Sequence, residues 1–232
     1  MRRAAAGSSQ LPLDIGPGGS AVLPERLKPM QPVTGDHPFD DPDWFFEPWW
    51  PGATTLAYVE DGRLRLQTEH LADPLEAFPE LASICGQFRD DGLIVAGALL
   101  VLDDDGRPDE ELLRARLAGQ LERGGTAALV ASDLLWASGQ AQIDLPFSER
   151  RARLARVLVD GDHCVVSRGL RGEGLTLAEA VGSMGVKEIS ARLLEAPYRP
   201  GARDESWLRI PIAPEPFVAT RPLLHVLQRL PL

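Results

Sequence analysis

Phe46-Glu47-Pro48-Trp49-Trp50-Pro51-Gly52 is followed at once by Thr54-Thr55-Leu56-Ala57-Tyr58-Val59, then by Asp61-Gly62 and by Arg63-Leu64-Arg65-Leu66-Gln67-Thr68. The second half of this stretch is a hairpin signature, two alternating runs flanking a turn dipeptide. Upstream, Pro24 to Pro48 contains Pro29, Pro32, Pro38, Phe39, Pro42, Trp44, Phe45 and Phe46. That composition excludes a long helix and predicts a segment that wraps over the domain and inserts rings into it.

Downstream, Leu75, Phe78, Leu81 and Ala82 predict a short helix over Leu75 to Ile84. Leu93 to Leu102 reads as a strand, ended by Asp103-Asp104-Asp105-Gly106. EF-hand spacing is missing there, so a solvated turn is expected rather than a cation loop. Glu110 to Leu121 has helical spacing, and Ala127 to Trp136 is a buried strand. Ser148 to Leu158 is an amphipathic helix carrying Arg150, Arg151, Arg153 and Arg156. With no aromatic platform interleaved, that positive stretch reads as a solvated face rather than a nucleic-acid patch. Val165-Val166-Ser167 is a short strand, Leu175 to Met184 a helix, and Trp207 to Ile210 a last strand after Val186 to Leu193. Interleaved helices and strands with hairpins predict an α+β fold with a substantially antiparallel sheet.

The 232 residues allow one large domain or two small ones. We divide them into a Gly-rich flexible tail at 1–22, one domain over 23–213 and a short C-terminal tail at 214–232. The apolar end of that tail, Leu223 to Leu230, is expected to pack back onto its own domain. Hydrophobic residues make up 44% and charged residues 25%, which excludes disorder as the dominant state. Lys plus Arg number 24 against 34 Asp plus Glu, a formal charge of −10 that opposes a broad grip on phosphate backbones. Cys85 and Cys164 lie far apart, and His37, His70, His163 and His225 are scattered, so no zinc site is expected. No run approaches the ~18 apolar residues of a membrane span. Nothing after Met1-Arg2-Arg3 resembles an export signal, so a cytoplasmic protein is expected.

In order, these segments resemble the nucleotidyltransferase (adenylation) domain of ATP-dependent DNA ligases, most closely the ligase module of bacterial non-homologous end-joining enzymes. Leu27-Lys28-Pro29-Met30 and Pro38-Phe39-Asp40-Asp41-Pro42-Asp43-Trp44 are similar to that family's opening segment. Phe78-Pro79-Glu80-Leu81 resembles the family's F-P-E-L, and Val101 to Asp109 resembles the turn after its acidic motif. Asp133-Leu134-Leu135-Trp136 fits an F-D-L-L-W segment, and Leu145-Pro146-Phe147-Ser148-Glu149-Arg150-Arg151 fits an L-P-x-x-E-R-R helix start. Pro197-Tyr198-Arg199-Pro200-Gly201 and Trp207-Leu208-Arg209-Ile210 fit the closing motifs. The resemblance implies the ligase and mRNA-capping type of nucleotidyltransferase fold, ATP-grasp-like, over roughly residues 23 to 213. With residues 212–232 after Pro211, the family's oligonucleotide-binding barrel is not expected within this sequence.

The resemblance also implies which chemistry is altered. The family's reaction begins when a lysine amine attacks the α-phosphate of ATP, and only an amine can form that phosphoramide. Aligned on F-E-x-K-x-D-G, Trp49 stands where the nucleophile belongs, Pro51 replaces the aspartate, Gly52 is retained, and Thr54 replaces an arginine. Glu47 is kept from the same motif. Glu69 falls where a further arginine would face the nucleotide. Ala98 replaces a carboxylate expected at ribose or metal, and Ser132 replaces a ring that would stack on adenine for about 1–3 kcal/mol. Lys187 stands for the metal-binding carboxylate, Arg192 for a phosphate-contacting lysine, and Arg209 and Pro211 for two lysines of the last motif.

On this reading no catalytic residue is intact and no metal site is expected. The family would use ATP and Mg²⁺, whereas no cofactor is expected here. Lys28 and Lys187, the only lysines in the chain, are expected to face solvent or form salt bridges; a displaced nucleophile is the alternative. Trp49 and Trp50 are expected to fill the vacated pocket as core, with a binding platform as the alternative. Three functions follow. The first is a pseudoenzyme that partners a DNA-repair protein, with weak or absent DNA binding. The second is a nucleotide or polynucleotide binder using Arg192, Arg209 and Arg150 to Arg156. The third is an active ligase by divergent chemistry.

Overall fold

Eleven strands and three α-helices are seen among the residues that the computed structural model describes, 22–69, 73–120 and 124–212. In chain order they are β1 (Gln31–Thr34), β2 (Asp40–Pro48), β3 (Ala53–Glu60), β4 (Arg63–Thr68), β5 (Leu93–Leu102) and α1 (Glu110–Leu117). There follow β6 (Thr126–Ala137), β7 (Gln140–Ala141), α2 (Phe147–Val157), β8 (Cys164–Val166), β9 (Leu170–Glu173), α3 (Gly174–Gly182), β10 (Glu188–Leu193) and β11 (Arg203–Pro211). One sheet has the order β1-β11-β10-β2-β9; the other runs β4-β3-β5-β6-β7, with β8 added beside β6. Only the β1–β11 and β6–β8 pairings are parallel. The expected α+β architecture with largely antiparallel sheets is the one observed.

The hairpin forms as expected, with positive φ at Asp61 (52°) and Gly62 (68°) turning β3 into β4. Strand alternation then divides the side chains between two faces. Ala57, Val59, Val95, Leu99 and Leu129 face the helices and 3-10 turns and form the largest apolar cluster. Leu56, Tyr58, Ile94 and Ala96 face the other sheet, meeting Met30, Tyr198 and Trp207. The outer face of the first sheet packs Phe46, Ile189, Ala191 and Ile210 against Leu177 and Val181 of α3. The inner face of that sheet is therefore left to the alternate residues, Phe45, Glu47, Ser190, Arg192 and Trp207. No helix among the described residues is long and apolar enough to cross a membrane.

Three expectations need correction. Leu75 to Ile84 is not an α-helix but two 3-10 segments, Leu75–Ala77 and Pro79–Gln87; Pro79 at the second start favours short i,i+3 turns. The Pro-rich stretch before Pro48 does not merely wrap the domain, for it supplies β1 and the interior strand β2. Its prolines are tolerated because Pro42 sits at the irregularity where β2 and β9 shift register, between Asp41 and Phe45. The arginines of α2 are not uniformly solvated: Arg150 and Arg151 are buried at 2% and 6% exposure. Arg153 and Arg156 do lie toward solvent. The expected tails, apart from Val22, lie outside the described residues.

Candidate active-site cleft

Between the two sheets lies a cavity of about 50 Å³. Its walls include Trp49, Trp50, Trp207 and Tyr198, and its polar lining includes Glu47, Ser132, Ser167, Ser190 and Arg192. The register of the first sheet explains the grouping. Ser190 pairs with Glu47 across β10–β2, and Arg192 pairs with Trp207 across β10–β11, so alternate residues of three strands share one face. Opposite them, β6 carries one extra residue at Ser132, between the Gly97–Ala131 and Ala96–Asp133 pairs. Such a bulge re-aims the side chains around it. Here Ser132 lines the cleft and Asp133 enters the charged floor.

That floor is a buried ion network. Asp133 accepts from Arg150 Nε at 2.8 Å and Nη2 at 2.9 Å, and lies 3.4 Å from Arg192 Nη1. Arg150 also donates to the Leu145 and Ala196 carbonyls. Glu47 holds Arg192 at 3.5 Å and Arg151 at 3.6 Å, distances that attract charge but are too long for hydrogen bonds. Accordingly Glu47 Oε2, Arg151 Nε and Nη1, and Arg192 Nε have no hydrogen-bond partner. Burial pulls the Arg151 guanidinium below its usual pKa, with the Glu47 charge opposing. Rings cover the remaining faces: Arg192 lies 4.1 Å over Trp207 and Arg151 4.0 Å over Phe45.

Trp49 projects into the cleft against Trp207, with ring centroids 6.3 Å apart. Arg209 covers the Trp49 ring at 4.7 Å and is itself held by Glu188. The stack Arg192–Trp207–Trp49–Arg209 thus closes one side of the cleft. Trp50 Nε1 donates to Ser167 Oγ at 3.2 Å and Trp207 Nε1 to Ser190 Oγ at 2.9 Å. Thr54 and Ala98 also line the cleft. Gly52 does so where an added Cβ would stand 2.4 Å from the Leu99 carbonyl oxygen and 2.5 Å from Leu100 Cδ2. Only glycine lets this turn lie so close to β5.

Other singled-out residues are elsewhere. Pro51 is half-buried beside the cleft-lining residues of its segment, and Glu69 is exposed beyond the end of β4. Lys28 and Lys187 are both exposed and neither lines the cleft. Pro211 ends β11 at the surface. Among the described residues, no cluster of three or more His, Cys, Asp or Glu is placed to hold a metal ion. The one carboxylate lining the cleft, Glu47, is committed to two guanidiniums, so this donor set does not fit a divalent cation.

Sequence reasoning missed several cleft residues. Met30 and Tyr198 line it because the Met30 amide donates to the Tyr198 hydroxyl at 2.8 Å. Ser167 and Ser190 carry no motif, and nothing in the chain flags them. Asp133 could have been flagged, since a carboxylate within the apolar run of β6 calls for a partner, here Arg150.

No family profile matches this chain. It is 24% identical over 190 residues to the multifunctional non-homologous end joining protein LigD of Mycolicibacterium smegmatis, covering 80% of this chain and 24% of that protein. It is 28% identical over 195 residues to the Pseudomonas aeruginosa protein of the same name, covering 83% and 23%. To a probable DNA ligase of Streptomyces avermitilis it is 30% identical over 170 residues, covering 68% and 33%. The chain therefore spans about a quarter to a third of the length of these three relatives. Among solved structures, the ligase domain of M. tuberculosis LigD superposes with a TM-score of 0.66 at 25% identity, covering 80% of this chain and 59% of that one. A mycobacterial DNA ligase D complexed with ATP and MES gives 0.67 at 24%, covering 81% and 60%.

This last comparison corrects one expectation. The expectation of no cofactor rests on altered motifs alone, yet the fold is shared with a ligase complexed with ATP, and relatives of this chain are named as DNA ligases. The altered residues bear on chemistry and do not by themselves remove the nucleotide. Collinear motifs, shared topology and these likenesses make the chain a relative of the ATP-dependent DNA ligases, carrying the fold of their nucleotidyltransferase domain.

Proposed function

We propose that this domain does not form the lysyl-adenylate with which DNA ligases begin, and that it serves a binding or regulatory role in DNA end joining or repair. One observation carries the reading. The chain has two lysines, both exposed outside the cleft, while the aligned position in the cleft holds the Trp49 indole. An indole N–H donates a hydrogen bond but supplies no lone pair for attack on phosphorus. Ala98 presents a methyl group where the motif has a carboxylate, which removes an oxygen ligand for Mg²⁺. The repair context comes from the relatives' names.

Incubation with α-labelled ATP and Mg²⁺, followed by denaturing electrophoresis, tests the proposal. An active ligase becomes labelled; this chain is expected to stay unlabelled. Label retained on Lys28 or Lys187 overturns the reading. Thermal shift with ATP, run with and without Mg²⁺, reports non-covalent binding separately. The second reading, a nucleotide or polynucleotide binder, draws support from Arg192 in the cleft, and titration with nicked duplex at low salt decides its polynucleotide arm.

A further inference from the structure

Strand alternation gives the second sheet two faces, and its helices cover only one of them. Leu99 and Val101 point to the face where Leu113 of α1, Leu154 of α2 and Ile84 of the 3-10 turn pack. The other face is covered in part by the first sheet, where Tyr58, Ile94 and Ala96 meet Met30 and Trp207. Past the cleft, at the far end of β5, this second face continues as Leu100, Leu102, Ala128, Val130 and Val165. Among the described residues, the one large apolar side chain brought to that patch from outside the sheet is Trp50.

Yet the patch is closed to water. Leu100, Val130 and Val165 are 0%, 1% and 2% exposed. An apolar sheet face buried so fully calls for a second layer. A single half-buried indole does not span β5, β6 and β8.

The chain carries a cover of the right kind. Residues 223–230 lie between Pro222 and Pro231, with Leu223, Val226, Leu227 and Leu230 at i, i+3, i+4 and i+7. That is the spacing of one apolar helix face, bounded by helix-breaking residues. The run also follows from the right place. The Ile212 amide donates to the Lys187 carbonyl, and Ile212 packs against the same α3-side cluster as Trp50. Residues 213–222 reach up to about 33 Å, the length of β5 itself. The chain before Val22 enters instead at the opposite end of the face, where the Leu27 amide donates to Tyr58, and it is Gly-rich with no such stripe. Charge agrees as well. Arg221 and Arg229 bracket the apolar run, while the exposed Asp104 and Asp105 follow Leu102 at the edge of the patch.

We propose that residues 223–230 dock on this patch within their own chain, as a short helix whose apolar stripe lies over Leu100, Val130 and Val165. Ala98 and Val130 line the cleft as well as the patch, so the docked segment borders the cleft beside Trp50. Docking there does not depend on whether the chain adenylates itself.

The test is methyl NMR on the full chain with labelled leucine and valine. Nuclear Overhauser contacts from Leu223, Leu227 or Leu230 to Leu100, Val130 or Val165 are expected, unchanged on dilution. Leu227→Asp is expected to abolish them, to lower Tm by about 5–10 °C and to move the Trp50 indole N–H resonance while that of Trp136 stays still. Gln228→Ala, off the apolar stripe, is expected to leave contacts, Tm and resonances unchanged. Contacts found only between labelled and unlabelled copies in a mixed sample put a second copy on the patch and overturn the proposal. Leucine methyls of 223–230 without any contact to the patch overturn it too, whether the patch is then bare or covered by another protein. If Leu227→Asp fails to fold, the wild-type contacts decide.

Discussion

Asp133 and Arg150 meet in a bidentate pair, at 2.8 and 2.9 Å, that joins the bulged strand β6 to the first turn of α2. Asp133 is fully buried and Arg150 nearly so. Two motifs that stand apart in the sequence are thus one ion pair in the fold. Asp133→Ala leaves Arg150 buried without its anion and is expected to destabilise by about 3–5 kcal/mol. Urea unfolding measures it. A double variant with Arg150→Met should lose less than the two single losses added; simple additivity would show that the pair is not coupled.

Trp49 is expected to matter for stability. It contacts Trp207 and carries Arg209 on its outer face. Trp49→Ala removes a half-buried ring from that stack and should cost about 1–3 kcal/mol, below the range for a fully buried tryptophan. Chemical denaturation checks this, and a loss under about 0.5 kcal/mol would remove the stack from the account.

Glu80 gives the stability a pH dependence. Burial raises its pKa, but hydrogen bonds from Arg116 and the Ala127 amide outweigh burial and leave it below the ordinary value. A carboxylate whose folded pKa is depressed contributes above its unfolded value, and the contribution is lost as pH falls through the folded one. Glu80 is partly exposed, so we expect about 1 kcal/mol. Glu80→Gln should be less stable than wild type near neutral pH, the gap closing below the usual carboxylate range. A gap that persists in acid would contradict this.

The opening segment is pinned by two buried phenols. Tyr58 Oη accepts from the Leu27 amide at 2.9 Å, and Tyr198 Oη accepts from the Met30 amide at 2.8 Å. Burial raises both hydroxyls above their usual pKa, so both stay protonated through ordinary buffers. Tyr198→Phe leaves the Met30 amide unsatisfied and should cost about 1–3 kcal/mol. Faster hydrogen exchange at Met30 and its neighbours would accompany the loss; unchanged exchange there would refute the pinning.

Much of the scaffold was legible because its signals are local. The β3–β4 hairpin, the apolar runs of β5 and β6, and the spacing of α1 and α3 each follow from neighbours in the chain. The altered motif at Trp49 could also be read directly, since which atom can attack phosphorus depends on residue type alone. What the chain could not disclose is pairing. A proline-rich stretch became the interior strand β2 because β10 and β9 flank it. The arginines of α2 divided into buried and solvated ones because Asp133 and Glu47 lie across the gap from one face only. Ser167 and Ser190 gained their place from indoles 117 and 17 residues away. Identity at each position set what chemistry was available. Only the packing of distant strands decided which charges and hydroxyls would share one small space.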